Sequence, residues 1–364
     1  MLPYCSIDGV LCHRREPYPS AHAVIKHIRD SRIPFVFLTN SGGTSEEKRA
    51  ASFTSLFSMS PELSRDDIIL SHTPFRQFAE QGKIPPEHDP HVPGGRQIKN
   101  AVLVVGGPSS GDARDTAEGY GFKNVIFPAD IVAAHVVGEA NGSSSIWPLR
   151  QVNHRFKKRS KAVPRTPSGK IMPIDAIFVF NDARDWGMDI QMMLDALIPT
   201  PRGQEGSVSL STPDYPPALI FSNPDVVYAS GYPIPRIGLG SFCAAFEAIY
   251  RRVVEVTRPD LDPQLKFTCI GKPTQTTYRY AEDQLVKKGK TTLKRVYMLG
   301  DNPESDIKGA NDYRSGRGVE WVSILVETGV YQPGQAFSPG RKPKVVVKDV
   351  CEGVRWALDR EGWK

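Results

Sequence analysis

The chain has few cysteines and no long apolar run. Its 364 residues include five cysteines without CxxC spacing, at positions 5, 12, 243, 269 and 351. This odd, scattered set argues against a disulfide scaffold and a zinc site, and it suits a reducing compartment. No run of roughly 18 or more apolar residues occurs, so we expect no integral membrane segment. The first residues also lack the basic start and apolar stretch of a secretory signal, so we expect a protein that is not secreted.

The positive charge of the chain is concentrated in one segment. The formal net charge is +6, and residues 154–165 carry six basic side chains and no acidic one. Without that segment the remaining charges balance, so the sequence shows no basic face and we expect no nucleic acid partner. A solvated loop explains the segment, and an anionic partner such as a lipid or RNA is the alternative.

Short apolar runs alternate with amphipathic segments along the chain. The sequence predicts strands at residues 2–7, 34–38, 101–105, 176–180, 218–221, 267–270, 295–299 and 322–326. It predicts helices at residues 21–31, 46–58, 74–81, 187–197, 241–257 and 276–288. This alternation predicts an α/β fold with a largely parallel sheet. Long Pro-rich and Gly-rich loops at residues 80–220 predict a second α/β unit, inserted between core segments 1–79 and 221–364.

Polar residues follow four of the predicted strands, and ligands bind at the carboxyl ends of strands in parallel sheets. In chain order these residues are Asp8 and Gly9, Thr39 and Asn40, Lys272, and Asp301 with Asp306. Carboxylates are the ligands that Mg²⁺ prefers, and a lysine can offset phosphate charge. The set therefore predicts phosphoryl-transfer chemistry. Taken alone, Asp301 and Asp306 could instead be turn and helix-cap residues.

Four ordered motifs resemble those of the haloacid dehalogenase (HAD) superfamily. They are residues 6–11 (SIDGVL), 35–41 (FVFLTNS), 271–273 (GKP) and 300–306 (GDNPESD). Further segments resemble subfamily IIA, and within it the mainly mitochondrial cat-eye-syndrome-region group and its fungal relatives; they are residues 71–75, 181–187 and 328–331. The similarity covers essentially the whole chain. It implies a Rossmann-like core with a C2-type α/β cap inserted between the second and third motifs.

The resemblance also implies an aspartyl-phosphate mechanism with Mg²⁺ and a small phosphorylated metabolite as substrate. Asp8 would act as acid and base and offer its backbone carbonyl to the ion, while Thr39 and Lys272 would hold the phosphoryl group. The candidate catalytic residues are Ser6, Asp8, Thr39, Asn40 and Lys272; the substrate-binding residues are Gly9, Ser41 and Arg184; the metal ligands are Asp8, Asp301 and Asp306. For Arg184 the alternative is a solvated side chain beside a helix cap formed by Asp182 or Asp185.

Position 6 departs from the family pattern. The family has Asp-x-Asp-Gly, and this chain has Ser-x-Asp-Gly at residues 6–9. Side chains two apart on a strand share a face, so we expect Ser6 on the face of Asp8 and Cys5 on the other. A serine hydroxyl without an activating base is a poor nucleophile and gives the ion no negative charge. Two hypotheses follow: an impaired phosphatase of small phosphate monoesters, and an inactive relative that binds phosphate esters or a protein partner in phospholipid metabolism.

Pro3 is a second departure, because proline removes a ladder hydrogen bond from a strand that we expect to be central. Pro3 and Ser6 together would also be explained if the recorded first residue were a mispredicted start or an exon edge. The resemblance predicts mitochondrial localisation, but the first residues show no Arg-rich presequence, and a cytoplasmic protein is the alternative. A homo-oligomer is left open.

Overall fold

A computed structural model provides the fold. It describes residues 2–5, 7–13, 16–107, 112–136, 160–183, 185–199, 210, 215–228, 232, 234–289 and 293–363. Among these residues, no helix is long and apolar enough to cross a membrane.

Strands and helices alternate along the described chain. The strands are β1 (Leu2–Cys5), β2 (Cys12–His13), β3 (Glu16–Pro17), β4 (Val36–Leu38), β5 (Ile68–Ile69), β6 (Lys83–Ile84), β7 (Arg96–Gln97), β8 (Ala101–Val105), β9 (Val125–Ile126), β10 (Ile174–Val179), β11 (Ala218–Phe221), β12 (Val227–Tyr228), β13 (Arg236–Ile237), β14 (Thr268–Cys269), β15 (Arg295–Gly300), β16 (Glu320–Val326) and β17 (Val345–Val347). The helices are α1 (Ala21–Asp30), α2 (Glu46–Leu56), α3 (Phe75–Gln81), α4 (Asp112–Tyr120), α5 (Pro128–Val136), α6 (Trp186–Leu197), α7 (Leu239–Thr257), α8 (Gln275–Gly289), α9 (Lys308–Asp312) and α10 (Val350–Arg360), with a π-helical turn at Pro303–Ile307.

The chain divides into two compact units. The first unit comprises Met1–Pro74, Ala229–Ile234 and Ile270–Lys364, and the second comprises Phe75–Tyr228 and Pro235–Cys269. The second unit begins near the expected residue 80 but extends past the expected residue 220, because helix α7 and strand β14 belong to it. Strand β14 pairs with β11, which fixes it in the second unit.

The first unit contains a six-stranded parallel sheet in the order β17-β16-β15-β1-β4-β5. In chain order β1, β4 and β5 precede β15, β16 and β17, so the strand order reverses between β1 and β15. Ligands in such sheets bind at the carboxyl ends of the strands, at this reversal. Pro3 lies in β1 and pairs in register with Tyr297 of β15, which confirms its place in a central strand.

The central strands of this sheet are buried on both faces. Phe37 and Leu299 pack into a cluster with residues of α1, α2 and α10, while their neighbours Val36 and Met298 pack against Tyr278 of α8. Successive side chains of a strand point to opposite faces, so each strand is covered by helices on both sides. Double burial explains why these strands are near-continuous apolar runs in the sequence.

The second unit is an α/β cap with its own five-stranded parallel sheet, in the order β14-β11-β10-β8-β9. The sequence correctly predicts a strand near residues 267–270, but its implied place in the sheet of the first unit is wrong. That strand completes the edge of the cap sheet by pairing with β11. The chain then reaches Lys272 through a turn at Gly271, whose φ is 86°.

Each predicted strand and helix is present, with ends that differ by no more than two residues. Four helices, α4, α5, α9 and α10, are not predicted from the sequence, and the last of them begins at a recognisable cap. The Asp349 side chain accepts a hydrogen bond from the Glu352 N–H at 3.0 Å. Asp is a preferred N-cap residue, so this helix start could have been found from the sequence.

Candidate active site

Three strand ends of the first unit bring polar residues to the reversal of strand order. Asp8 follows β1, Thr39 follows β4, and Asp301 follows β15. Lys272 enters the same place from the turn after β14, and hydrogen bonds link it to the segments after β4 and β15. The structure therefore assembles the four predicted motifs within one unit.

Lys272 and Asp306 form a buried ion pair. The Lys272 Nζ lies 2.6 Å from Asp306 Oδ1, and the two side chains are 4% and 1% exposed. The same Nζ donates to the backbone oxygen of Leu38 at 3.2 Å. The second oxygen of Asp306 accepts from the backbone N–H groups of Asp301 and Asn302, each at 3.2 Å. Asp306 is therefore both a counter-ion and a cap for the turn after β15, and these bonds offset the cost of burying the charges.

Asp301 is a buried carboxyl group beside this pair. Its Oδ2 accepts a hydrogen bond from the Val330 N–H at 2.9 Å. Burial, followed by repulsion from Asp306, raises the pKa of Asp301 to about 7, although the Val330 N–H and Lys272 act in the opposite direction. Two carboxyl groups thus share one ammonium group, and the site has an excess of acidic groups.

A divalent cation fits this excess, but only a few donors are available to hold it. Hard cations such as Mg²⁺ prefer carboxylate and carbonyl oxygens. Asp301 supplies a carboxylate, whereas Asp306 already binds Lys272 and two backbone N–H groups. No group of three or more His, Cys, Asp or Glu side chains in the described chain could hold a metal ion. The candidate ligands for such a cation are therefore the Asp301 carboxylate and the Asp8 carbonyl.

Asn40 joins the second motif to the third. Its Oδ1 accepts from the Lys272 backbone N–H at 2.8 Å, and its Nδ2 donates to the Lys272 backbone oxygen at 3.0 Å. These reciprocal bonds fix the backbone from which the Lys272 side chain projects. Asn40, which the sequence analysis takes as a catalytic residue, is placed here as a residue that positions Lys272.

Thr39 and Ser41 present hydroxyl groups at the end of β4. The Thr39 hydroxyl donates to Ser41 Oγ at 3.0 Å and accepts from the Ser41 N–H at the same distance. The Thr39 N–H donates to the Ile69 oxygen of β5 at 3.0 Å, which anchors the turn to the sheet. The Ser41 hydroxyl is therefore an acceptor for Thr39 at the end of β4.

Asp8 and Gly9 form a tight turn after β1. The Ile7 oxygen accepts from the N–H groups of Leu11 and Cys12 at 2.9 and 3.2 Å. Gly9 has a φ of 78°, and a Cβ at this position would lie 2.3 Å from Asp301 Oδ2, so only glycine fits. This contact brings the first motif against the fourth. The Asp8 side chain remains exposed, within 3.8 Å of the Cys12 thiol.

Residues 328–331, for which the sequence predicts no chemical role, contact the site residues Gly9 and Asp301. The Thr328 hydroxyl donates to the Gly9 oxygen at 2.5 Å, and the Tyr331 N–H donates to the Asp301 oxygen at 3.1 Å. The segment follows β16, the neighbour of β15, so its place after a strand of the same sheet was a signal for this role.

Two candidate residues, Ser6 and Arg184, lie outside the described residues. Beside Arg184, the Asp185 side chain caps α6 by accepting from the Met188 N–H at 3.2 Å. This confirms the helix cap that the alternative interpretation of this loop requires. The first half of the basic segment, residues 154–159, also lies outside the described residues.

Family models match both parts of the core. A model described as haloacid dehalogenase-like hydrolase matches residues 4–123, and one described as HAD-hydrolase-like matches residues 269–353. Among solved structures, the chain is similar to a glycerol phosphate phosphatase from Mycobacterium tuberculosis in complex with calcium, with a TM-score of 0.54 and 16% identity over 97% of this chain and 74% of that one. A p-nitrophenyl phosphatase from Archaeoglobus fulgidus gives a TM-score of 0.56 and 14% identity over 98% of both chains. These similarities support the fold, an HAD core with an inserted cap.

Two yeast proteins are similar over nearly the whole chain. A cardiolipin synthase (CMP-forming) / mitochondrial hydrolase fusion protein of Schizosaccharomyces pombe is 37% identical over 98% of this chain and 52% of its own length, so the chain spans about half of that relative. Mitochondrial hydrolase YKR070W of Saccharomyces cerevisiae is 30% identical over 97% of this chain and 94% of its own length. Both names agree with the mitochondrial localisation that the resemblance predicts. The chain therefore belongs to the family of haloacid dehalogenase-like hydrolases.

Proposed function

We propose that the chain binds small phosphate monoesters together with Mg²⁺, and that Ser6 impairs their hydrolysis. The observation that carries this proposal is the buried Lys272–Asp306 pair beside Asp301, at the reversal of strand order. Burying three ionisable groups costs folding free energy unless they are paired and hydrogen-bonded. Binding of an anion and a cation at this site would explain why three ionisable groups are buried together.

Several side chains of the site would contact the phosphoryl group. Lys272, with its Nζ fixed by Asp306 and Leu38, would offset the negative charge of the phosphoryl oxygens. The Ser41 hydroxyl, and the Thr39 hydroxyl once its bond to Ser41 is released, would donate hydrogen bonds to the same oxygens. Mg²⁺ at Asp301 and the Asp8 carbonyl, when bound, would supply further charge stabilisation.

The chemical step depends on Asp8 and on the residue at position 6. The Asp8 carboxyl is exposed, so it can exchange protons with solvent and protonate a leaving oxygen. The family mechanism needs an aspartate at position 6 to attack phosphorus, and this chain has serine there. Without that carboxylate both the attacking oxygen and one anionic cation ligand are missing, so we expect slow turnover and weak Mg²⁺ binding.

The substrate class follows from the cap and from the relatives. We propose that the substrates are small phosphorylated molecules, with Arg184 of the cap as a residue that selects among them. One relative is a fusion that contains a cardiolipin synthase, and one structure of this fold is a glycerol phosphate phosphatase. Glycerol phosphate and lipid phosphate monoesters therefore belong in the substrate panel, beside para-nitrophenyl phosphate.

The test restores the missing carboxylate. We would assay the wild-type chain, Ser6→Asp, and Ser6→Asp combined with Asp8→Asn, on this panel with Mg²⁺. Activity of Ser6→Asp should exceed that of the wild type at least about a hundredfold, which corresponds to about 2.7 kcal/mol of barrier. The double variant is the control, because the mechanism needs both carboxylates, and it should fall back to the wild-type rate.

A second candidate function is favoured by Ser6 as it stands: a protein that binds phosphate esters or a protein partner without hydrolysing them. Folded Ser6→Asp that binds Mg²⁺ but gains no activity on any substrate would support this candidate. Strong activity of the unmodified chain would contradict the role that we give to Ser6.

A further inference from the structure

We propose that Thr328 is a positioning residue, whose hydroxyl holds the Asp8–Gly9 turn against Asp301 and so shapes the cation site. This inference rests on the proposed function, in which Asp301 and the Asp8 carbonyl hold the cation. Thr328 lies 319 residues from Gly9 in the sequence, and its hydroxyl donates to the Gly9 oxygen at 2.5 Å. The bond therefore joins the backbone of the first motif to the loop after β16.

The same loop also fixes the Asp301 carboxylate. The Val330 N–H donates to Asp301 Oδ2 at 2.9 Å, and the Tyr331 N–H donates to the Asp301 backbone oxygen at 3.1 Å. With Oδ2 bound to a backbone N–H, the orientation of the carboxylate is set by the loop. Thr328 and Val330 thus connect the two groups proposed to hold the cation.

Two glycines allow this close arrangement. A Cβ on Gly9 would lie 2.3 Å from Asp301 Oδ2, and a Cβ on Gly329 would lie 2.1 Å from the same atom. The carboxylate is therefore enclosed by two backbone segments, one from the first motif and one from the loop. Small shifts of either segment change the geometry around Asp301 directly.

Tyr18 anchors the loop from the other side. Its hydroxyl donates to the Thr328 backbone oxygen, and its N–H donates to the Leu11 oxygen at 2.9 Å. The chain between Gly9 and Tyr18 thus holds Thr328 at two atoms, the side-chain oxygen and the backbone oxygen. This double attachment makes Thr328 the connection between the Asp8–Gly9 turn and the Asp301 carboxylate.

A positioning residue should affect metal affinity more than it affects folding stability. One neutral hydrogen bond contributes modestly to folding, whereas residues that orient metal ligands typically change metal affinity about 10- to 100-fold when they are lost. Thr328→Val removes the hydroxyl and keeps the shape, and Thr328→Ser keeps the hydroxyl. Thr257→Val is a control distant from the site, because the Thr257 hydroxyl also donates to a backbone oxygen, that of Val253 at 2.8 Å, at an exposed position of helix α7 in the second unit.

The experiment measures Mn²⁺ binding by electron paramagnetic resonance, in the wild-type chain and in Ser6→Asp. We expect Thr328→Val to weaken Mn²⁺ binding at least about tenfold, Thr328→Ser to stay within about threefold of its parent, and Thr257→Val to leave binding unchanged. The melting temperature of Thr328→Val should fall only modestly, because a single neutral hydrogen bond is lost. Unchanged binding in Thr328→Val, or equal loss in Thr328→Ser, would overturn the proposal.

Amide hydrogen exchange makes the test independent of the proposed function. If neither parent binds Mn²⁺, the proposed function fails, and exchange at Gly9 and Val330 decides alone. Faster exchange at both amides in Thr328→Val than in Thr257→Val would support the positioning role. Equal exchange in the two variants would refute it.

Discussion

Removing Lys272 should destabilise the first unit far more than neutralising its partner Asp306. The site contains two buried carboxyl groups, Asp301 and Asp306, and one ammonium group. Lys272→Met leaves two buried acids with no counter-charge, whereas Asp306→Asn leaves Asp301 with Lys272 as its counter-charge. If the ion pair alone decided stability, the two substitutions would lower the free energy of unfolding equally. Unequal losses would show that the count of buried charges decides instead.

The expected magnitudes follow from burial and hydrogen bonding. Leaving one partner of a buried pair alone costs about 3–5 kcal/mol, so we expect this loss for Lys272→Met at neutral pH. In Asp306→Asn the amide oxygen can still accept from the N–H groups of Asp301 and Asn302, which bond to Oδ2 at 3.2 Å in the wild type. The loss should then be about 1–2 kcal/mol, the value of one hydrogen bond to a charged group. The double variant should be more stable than Lys272→Met alone, because it removes one of the unpaired acids.

The assay is urea unfolding without divalent cations, with hydrogen exchange of β15 amides as the probe that reports on the first unit. Asp306→Asn as damaging as Lys272→Met would contradict the charge count. A double variant less stable than Lys272→Met would contradict it as well, and would mean that the hydrogen bonds of Asp306 outweigh its charge.

Two further predictions concern carboxylates outside the candidate site. Burial opposes ionisation of Asp67, but bonds from Lys288 and Ser64 outweigh it and lower its pKa below the usual 3.8, so Asp67→Asn should cost about 1–2 kcal/mol at pH 7. A carboxyl group whose pKa is lowered by folding stabilises the folded state above its unfolded pKa, and this stabilisation is lost as the pH falls. The free energies of unfolding of the wild type and Asp67→Asn, measured in urea, should therefore converge as the pH falls below 3.8. A difference that stays constant with pH would contradict this. In the second unit, Asp130 accepts two bonds from Arg114 at 2.8 and 2.7 Å with both side chains buried, so Asp130→Ala should cost about 3–5 kcal/mol, read from exchange of β8 amides. Protection of those amides equal to that of the wild type would refute this estimate.

Local sequence pattern was sufficient for the central strands and for the polar residues that follow them. The apolar runs that become β4 and β15 are buried on both faces, so their hydrophobic pattern carries the information directly. Asp8, Thr39 and Asp301 stand immediately after such runs, and parallel strands bring their carboxyl ends to one edge. Local pattern does not assign β14 to the correct sheet, because strand pairing depends on partners distant along the chain.

The sequence by itself determined the α/β class, the family, and the identity of the residues that gather at the strand ends, since each of these depends on short motifs and periodicity. Only the tertiary structure decided which contacts those residues make. It binds Asp306 to Lys272, places Asn40 on the Lys272 backbone, and brings Thr328 to Gly9. These are contacts between groups far apart in sequence, and their energies depend on burial and on the balance of charge, neither of which exists before the chain has folded.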